Sequence, residues 1–414
     1  MGTAACHWRY AQTAPARSRL ECGMSVAALD VMHVIPGLRV GGAENMLANL
    51  VTAERGYPIE QEVVNLMGPG GIMAQRISGA GIVVSDLGAT SLASYLLAVL
   101  RLAHLIRVRR PRVIQSWLYY GDLAAYWALL LSGRRAATRL YWGVRASDMD
   151  QTRYGASLRL AIRTCAFHSP GPDAVIANSH AGRAEHERIG FRPKHFVVIP
   201  NGIDTHKFRP DPAARARVRA RLAIAPDAPV VIHSARVDPM KDHATFLEVA
   251  AQLPEVTFVL VGSGTHDLPL HANTLPLGLR TDMPELYAAA DLAVSTSAFG
   301  EGFPTVLGEA MATGLSVVAT DVGDSRLLVG DVGMIVPPRN PARIAMAIRN
   351  LLAAPAPIRT ARRAAARERI EVSFSLTTAV QRFDNLHLHG LLPVNRDALP
   401  REVGDVDVHS LNKV

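Results

Sequence analysis

Short apolar runs alternate with segments of helical periodicity along most of this chain. That alternation predicts an α/β protein built on parallel sheets. In the first half, strands are expected near 30–36, 61–67, 82–87, 112–118, 138–144, 174–179 and 195–200. Helices are expected near 42–54, 91–109, 121–133, 154–168 and 179–190. In the second half, strands are expected near 229–235, 256–262, 275–279, 291–297, 316–321 and 333–337. The matching helices fall near 243–253, 283–290, 304–313 and 340–353. Turn residues and prolines cluster between the halves, in Pro200-Asn201-Gly202-Ile203-Asp204 and Phe208-Arg209-Pro210-Asp211-Pro212, as in a linker.

Each half is therefore expected to be a doubly wound, Rossmann-like sheet of ordinary domain size. The organisation predicted is a disordered extension over 1–25 and a first domain, on the acceptor side, over 26–205. A second domain follows over 206–370. A helix over 371–388 crosses back to the first domain, and a tail runs over 389–414. Met24, just before the first strand, is an alternative start. Ligands in such sheets bind beyond the carboxyl ends of the strands, so two facing domains would hold substrate in the cleft between them.

Composition narrows this picture. The 414 residues are 49% hydrophobic, enough for two cores. No run reaches the ~18 uncharged apolar residues of a membrane span; Leu123 to Leu131 is half that length and reads as a buried helix. Three cysteines, Cys6, Cys22 and Cys165, lack metal-ligand spacing and fit a reducing cytosol. The formal charge of +8 favours anionic partners. Aromatic and basic residues do not interleave as in nucleic-acid binders, which leaves acidic lipid surfaces and anionic substrates.

The candidate chemistry centres on Phe299-Gly300-Glu301-Gly302-Phe303-Pro304-Thr305, which continues through Glu309 to Gly314. Pro304 suits the first turn of a helix, and a helix start attracts phosphate. Glu301 in the loop and Glu309 on the helix are placed to accept hydrogen bonds from sugar hydroxyls. Phosphate and sugar together suggest a nucleotide sugar. Gly41-Gly42 after the first strand is either a close approach to phosphate or simply a tight turn. Arg236 and Lys241 follow a strand and precede a helix, where two cations neutralise a diphosphate. Gly262-Ser263-Gly264 offers another close-approach loop.

Together Gly41-Gly42-Ala43-Glu44, Pro-Asn-Gly-Ile-Asp at 200–204, Arg236 with Lys241, and Glu301 with Glu309 make a specific set. Over about residues 30–385 the chain resembles the retaining family-4 glycosyltransferases of the GT-B fold, group 1 type. The resemblance implies transfer from a UDP- or GDP-linked sugar to a glycan or polyprenyl-linked glycan of envelope, lipopolysaccharide or exopolysaccharide biosynthesis. It implies catalytic roles for Glu301, Arg236 and Lys241, with the cations on the diphosphate and Glu301 facing the sugar. Glu309 would hold the ribose. Gly41, Gly42, Gly262, Arg280, Gly302, Phe303, Pro304 and Thr305 would complete the donor site. Amides of Gly302, Phe303 and Thr305 would line phosphate and sugar, and Leu277-Gly278-Leu279-Arg280 the base. No metal or other cofactor is expected.

The chain departs from many relatives at the end of the fourth strand, where Gln115-Ser116-Trp117-Leu118-Tyr119-Tyr120 replaces a histidine pair. Trp117 and Tyr119 would stack on an acceptor sugar, or Trp117 would fill the core. Arg145 would meet an acceptor phosphate or form a structural ion pair. Asp148-Met149-Asp150 and Asp405-Val406-Asp407 match the Asp-x-Asp of metal-dependent transferases but lack its one-domain context. Arg101, Arg107, Arg109, Arg110 and Arg112 mark either a solvated face or peripheral contact with an anionic inner membrane face. An epimerase on the same architecture and a non-catalytic nucleotide-sugar-binding subunit are the alternatives. Donor base, sugar, acceptor, linkage and oligomeric state are not legible.

Overall fold

The computed structural model describes residues 29–39, 41–147 and 154–391. Two parallel sheets are present among them. The first contains β1 (Val31–Ile35), β2 (Gln61–Met67), β3 (Val83–Ala89), β4 (Val113–Ser116), β5 (Arg139–Val144), β6 (Ala174–Ala177) and β7 (Phe196–Val198). Its order is β3-β2-β1-β4-β5-β6-β7. The second contains β8 (Val230–Ser234), β9 (Thr257–Val261), β10 (Thr274–Pro276), β11 (Leu292–Ser295), β12 (Ser316–Thr320) and β13 (Met334–Val336). Its order is β10-β9-β8-β11-β12-β13. Both are doubly wound, with strand order reversing beside β1 and beside β8.

The central strands are buried and mostly apolar because both faces are covered. All five residues of β1 and all five of β12 are buried. Helices supply a separate apolar cluster to each face of each sheet. Burying one Val, Ile or Leu side chain in such a layer contributes about 1.5–3 kcal/mol.

Three helices lie where none was expected: Ile72–Gly79, Pro212–Arg221 and Ser325–Val329. The Pro212–Arg221 segment carries four arginines and hides its apolar periodicity. Its start was nevertheless encoded, since Asp211 caps it by accepting from Ala214 N–H at 2.8 Å and Pro212 follows at the first position. Arg215 and Arg219 then anchor it to Asp291 at 2.7 and 2.8 Å.

The Leu376–His389 helix packs on the first sheet, with Ala379, Val380, Phe383 and Leu386 in its core. Arg55 pairs with Asp384 at 2.8 Å beneath it. The return crosses beside the linker. Leu376 N–H donates to the Ile203 carbonyl at 2.7 Å, and Ile203 N–H to that of Phe374 at 2.9 Å. The two sheets face one another across a cleft.

Candidate donor site in the interdomain cleft

Sheet order decides which loops meet. The second sheet reverses between β8 and β11, so the loops after those strands flank one crevice. The β8 loop carries Lys241 and the β11 loop carries Glu301. Lys241 Nζ is ion-paired with Glu301 Oε1, and Ser297 Oγ donates to the same oxygen at 2.6 Å. The pair is largely buried, so loss of either partner would strand a desolvated charge. Arg236 stands apart. Its side chain is 63% exposed and tied to Asp238 at 3.2 Å.

Glu309 belongs to the Thr305–Ala312 helix, one turn beyond Thr305 on the same face. Both line a cavity of about 530 Å³, together with Gly42 and Asn45 from the first domain, Asn201 from the linker, and Arg280. Burial pushes the Glu309 carboxyl up to about 7, with nearby Lys207 opposing. Arg280 is held by Asp282 at 2.7 Å. Lys241, Glu301 and Arg236 lie outside this wall. The predicted donor residues thus form two neighbouring groups, a carboxylate-lined cavity and a buried ion pair.

The glycines have distinct reasons. A Cβ on Gly41 would lie 2.2 Å from Glu44 Oε2, whereas one on Gly42 would meet nothing within 4 Å. Gly42 therefore leaves the cavity open. Gly262 has φ +146, and a Cβ there would lie 2.0 Å from the Ala235 carbonyl oxygen. It lets the β9 loop nest against the residues leading to Arg236.

Two expectations are corrected, for Pro304 and for the Thr305 amide. Pro304 does not occupy the first helical turn; it is the residue just before it, and its carbonyl accepts from Leu307 N–H at 3.0 Å. Thr305 N–H is already engaged, donating to the Phe303 carbonyl at 2.9 Å. The Phe303 ring packs into the second core against Phe374, which leaves its backbone for the cleft.

Stacking by Trp117 or Tyr119 on an acceptor ring does not fit either. Trp117 is fully buried, stacked on Phe383, and donates from Nε1 to His33 Nδ1 at 3.3 Å. His33 Nε2 then donates to Gln61 Oε1 at 3.1 Å. Tyr119 is buried with its hydroxyl on His186 Nε2 at 2.8 Å. Arg145 turns inward, 4.5 Å over the Trp117 ring, and donates to Asn201 Oδ1 at 2.8 Å. Burial lowers its guanidinium to about 9, opposed by Asp122.

Sequence reasoning missed Lys207, Asn201, Ser147, Ser297 and Asp324. Pro-Asn-Gly-Ile-Asp signalled the linker but not that Asn201 Nδ2 would reach Thr305 Oγ1 at 3.4 Å. Asp122 was missed as well. It is fully buried, accepts from Ser116 Oγ at 2.6 Å, and is pushed up to about 8 by burial. Both Asp-x-Asp segments, Cys6, Cys22 and Met24 fall outside the described residues. Among the described residues, no three His, Cys, Asp or Glu side chains cluster as metal ligands.

Comparison with known proteins matches these two halves separately. Residues 40–207 match the "Glycosyltransferase Family 4" model and 228–354 the "Glycosyl transferases group 1" model. A GDP-mannose-dependent alpha-(1-6)-phosphatidylinositol monomannoside mannosyltransferase of Mycolicibacterium smegmatis is 32% identical over 281 residues. That match spans 55% of this chain and 73% of the relative. A D-inositol 3-phosphate glycosyltransferase of Geodermatophilus obscurus is 34% identical over 208 residues, 44% of this chain and 46% of the relative. The chain spans about half the length of such inositol-phosphate relatives. Anabaena Alr3699/HepE, solved with UDP, superposes with a TM-score of 0.72 at 23% identity, covering 87% of this chain and 100% of that one; this likeness shows the fold. The chain belongs to the GT-B-fold glycosyltransferases, with a Family 4 module in its first half and a group 1 module in its second.

Proposed function

We infer that this chain transfers a sugar from a UDP- or GDP-linked donor to a glycan or lipid-linked glycan acceptor, with retention and without a metal. The observation that carries this reading is the cavity shared by Glu309 and Thr305 of one domain and Gly42 and Asn45 of the other. A carboxylate in a partly desolvated cleft, facing a glycine with free space, suits ribose hydroxyls beside a diphosphate. The names of the relatives point the same way: one is GDP-mannose-dependent, and HepE was solved with UDP-glucose.

In the reaction, the bond from the anomeric carbon to the diphosphate oxygen breaks. The acceptor oxygen forms a bond to that carbon on the same face, and its proton passes to the departing diphosphate oxygen. No side-chain base is required, consistent with a fourth strand that ends in Gln115-Ser116 and is followed by Trp117. Lys241 exchanges Glu301 for the diphosphate as negative charge develops, which frees Glu301 to face the sugar. Arg236, exposed and held by one carboxylate, is free to swing onto the same group.

The acceptor proposed is a glycan intermediate of envelope or exopolysaccharide assembly, reached at the cytoplasmic face of a membrane. The Leu92–Arg109 helix leaves Leu92, Leu96, Leu97 and Leu100 exposed, with Arg107 at its basic end. Among the described residues no helix is long and apolar enough to cross a membrane; the contact proposed is a peripheral one through this helix. Donor hydrolysis by water tests the chemistry without an acceptor. In EDTA, one UDP- or GDP-sugar should slowly release free sugar whose first-formed anomer matches the donor. An inverted product, or a strict requirement for divalent metal, would overturn this reading.

A further inference from the structure

The His180–Arg188 helix starts beyond β6 in the first domain, and its first amides meet the second domain. His180 N–H donates to Asp324 Oδ2 at 2.7 Å, and Ala181 N–H to Asp324 Oδ1 at 2.9 Å. A helix start leaves amides without an intrahelical partner, and its dipole favours an anion. The helix's own cap, Ser179, serves Gly182 N–H at 2.9 Å. Asp324 serves the two before it from across the cleft.

The same residue grips the candidate donor loop. Asp324 N–H donates to the Gly302 carbonyl at 2.9 Å. Its neighbour Gly323 has φ +60 and sits so close that a Cβ would lie 2.1 Å from the Glu301 carbonyl oxygen. Two further contacts close the seam. Ser147 Oγ donates to the Gly300 carbonyl at 2.8 Å. A Cβ on Gly302 would lie 3.0 Å from Ser179 Oγ and 3.1 Å from Ser147 Oγ. Asp324 itself is only 5% exposed.

The geometry points to Asp324 as an interdomain latch. Its carboxylate holds the first domain's His180–Arg188 helix while its backbone holds Glu301–Gly302, so closing the cleft and placing the sugar-facing loop are one event. Neither sheet needs this contact for its own core, because the carboxylate and the helix belong to different domains. Asp324 is a positioning residue that acts through Gly302. Its effect on turnover rests on the donor-site reading above; its effect on closure does not.

The test therefore reads closure first. The full chain and its Asp324→Ala, Asp324→Asn and Ser147→Ala variants are compared without ligand by small-angle scattering and amide exchange. Asp324→Ala should enlarge the radius of gyration and speed exchange across 299–303 as well as 180–182. Asp324→Asn, which keeps one acceptor oxygen, should fall between wild type and Ala. Ser147→Ala, which removes the contact to the Gly300 carbonyl, should shift exchange at 299–303 the same way and reads the seam even if Asp324→Ala folds poorly. With a donor that the wild type turns over, Asp324→Ala should lower kcat about tenfold, the scale of a lost charge-assisted contact. An unchanged radius, with faster exchange confined to 180–182, would reduce Asp324 to a helix cap and overturn the proposal. If no donor is turned over, the scattering and exchange results still decide closure.

Discussion

Burial at the wall of the cleft pushes the Glu309 carboxyl up to about 7, against a usual 4.5, while the Lys207 ammonium pulls it down. Because the folded value lies above the unfolded one, the folded state holds this proton more tightly. Its contribution to stability is therefore present below about 4.5 and lost as pH rises through about 7. Ribose hydroxyls need the ionised form, so binding of a nucleotide sugar should tighten from pH 6 to pH 8. Calorimetric titration across that window checks this, and Glu309→Gln should flatten the profile. Lys241→Ala should depress turnover by roughly 2–4 kcal/mol through lost leaving-group stabilisation; unchanged turnover would remove Lys241 from the mechanism. Trp117→Ala should destabilise the chain by about 3–5 kcal/mol in urea unfolding. An unaltered midpoint with a raised acceptor KM would restore the sugar-platform role. At this scale the sequence showed which residue types carry chemistry, but not their partners. The Lys241–Glu301 pair spans 60 positions, and Trp117 looks the same in a sequence whether it meets a sugar or Phe383.

At the scale of elements, legibility followed how completely an element is covered. The expected strands correspond to the thirteen among the described residues, because central strands of parallel sheets are covered on both faces. Helices with a weak apolar face escaped. Pro212–Arg221 buries Ala214, Val218 and part of its arginine set, so its signal lay in its Asp-Pro start rather than in periodicity. The Leu92–Arg109 helix shows the converse. Its apolar residues outnumber its buried positions, which leaves leucines in water. Two of the expected cations of that face have acidic partners: Arg109 meets Glu62 at 3.1 Å and Arg112 meets Asp30 at 3.3 Å. The proposed membrane contact would therefore rest on the leucines more than on the arginines. Replacing Leu92, Leu96 and Leu100 together by Ser should abolish co-sedimentation with anionic vesicles and leave donor hydrolysis unchanged. Equal sedimentation of both proteins would exclude this face.

For the whole molecule, the doubly wound order follows from the alternation of elements, and each reversal of strand order opens a crevice at the carboxyl edge. How the crevices are brought together was not legible. It depends on Asp324 against the His180–Arg188 helix, on Arg145 with Asn201, and on Leu376 bonded to Ile203, contacts between residues distant in sequence. The cavity shared by the domains should bind a nucleotide sugar through Glu309. Thermal stabilisation by a panel of UDP- and GDP-sugars, in EDTA, tests it most directly when wild type and Glu309→Ala are compared. One sugar nucleotide should raise the wild-type midpoint clearly and leave that of Glu309→Ala nearly unmoved. No shift of the wild type with any donor, or an equal shift of both proteins, would contradict it.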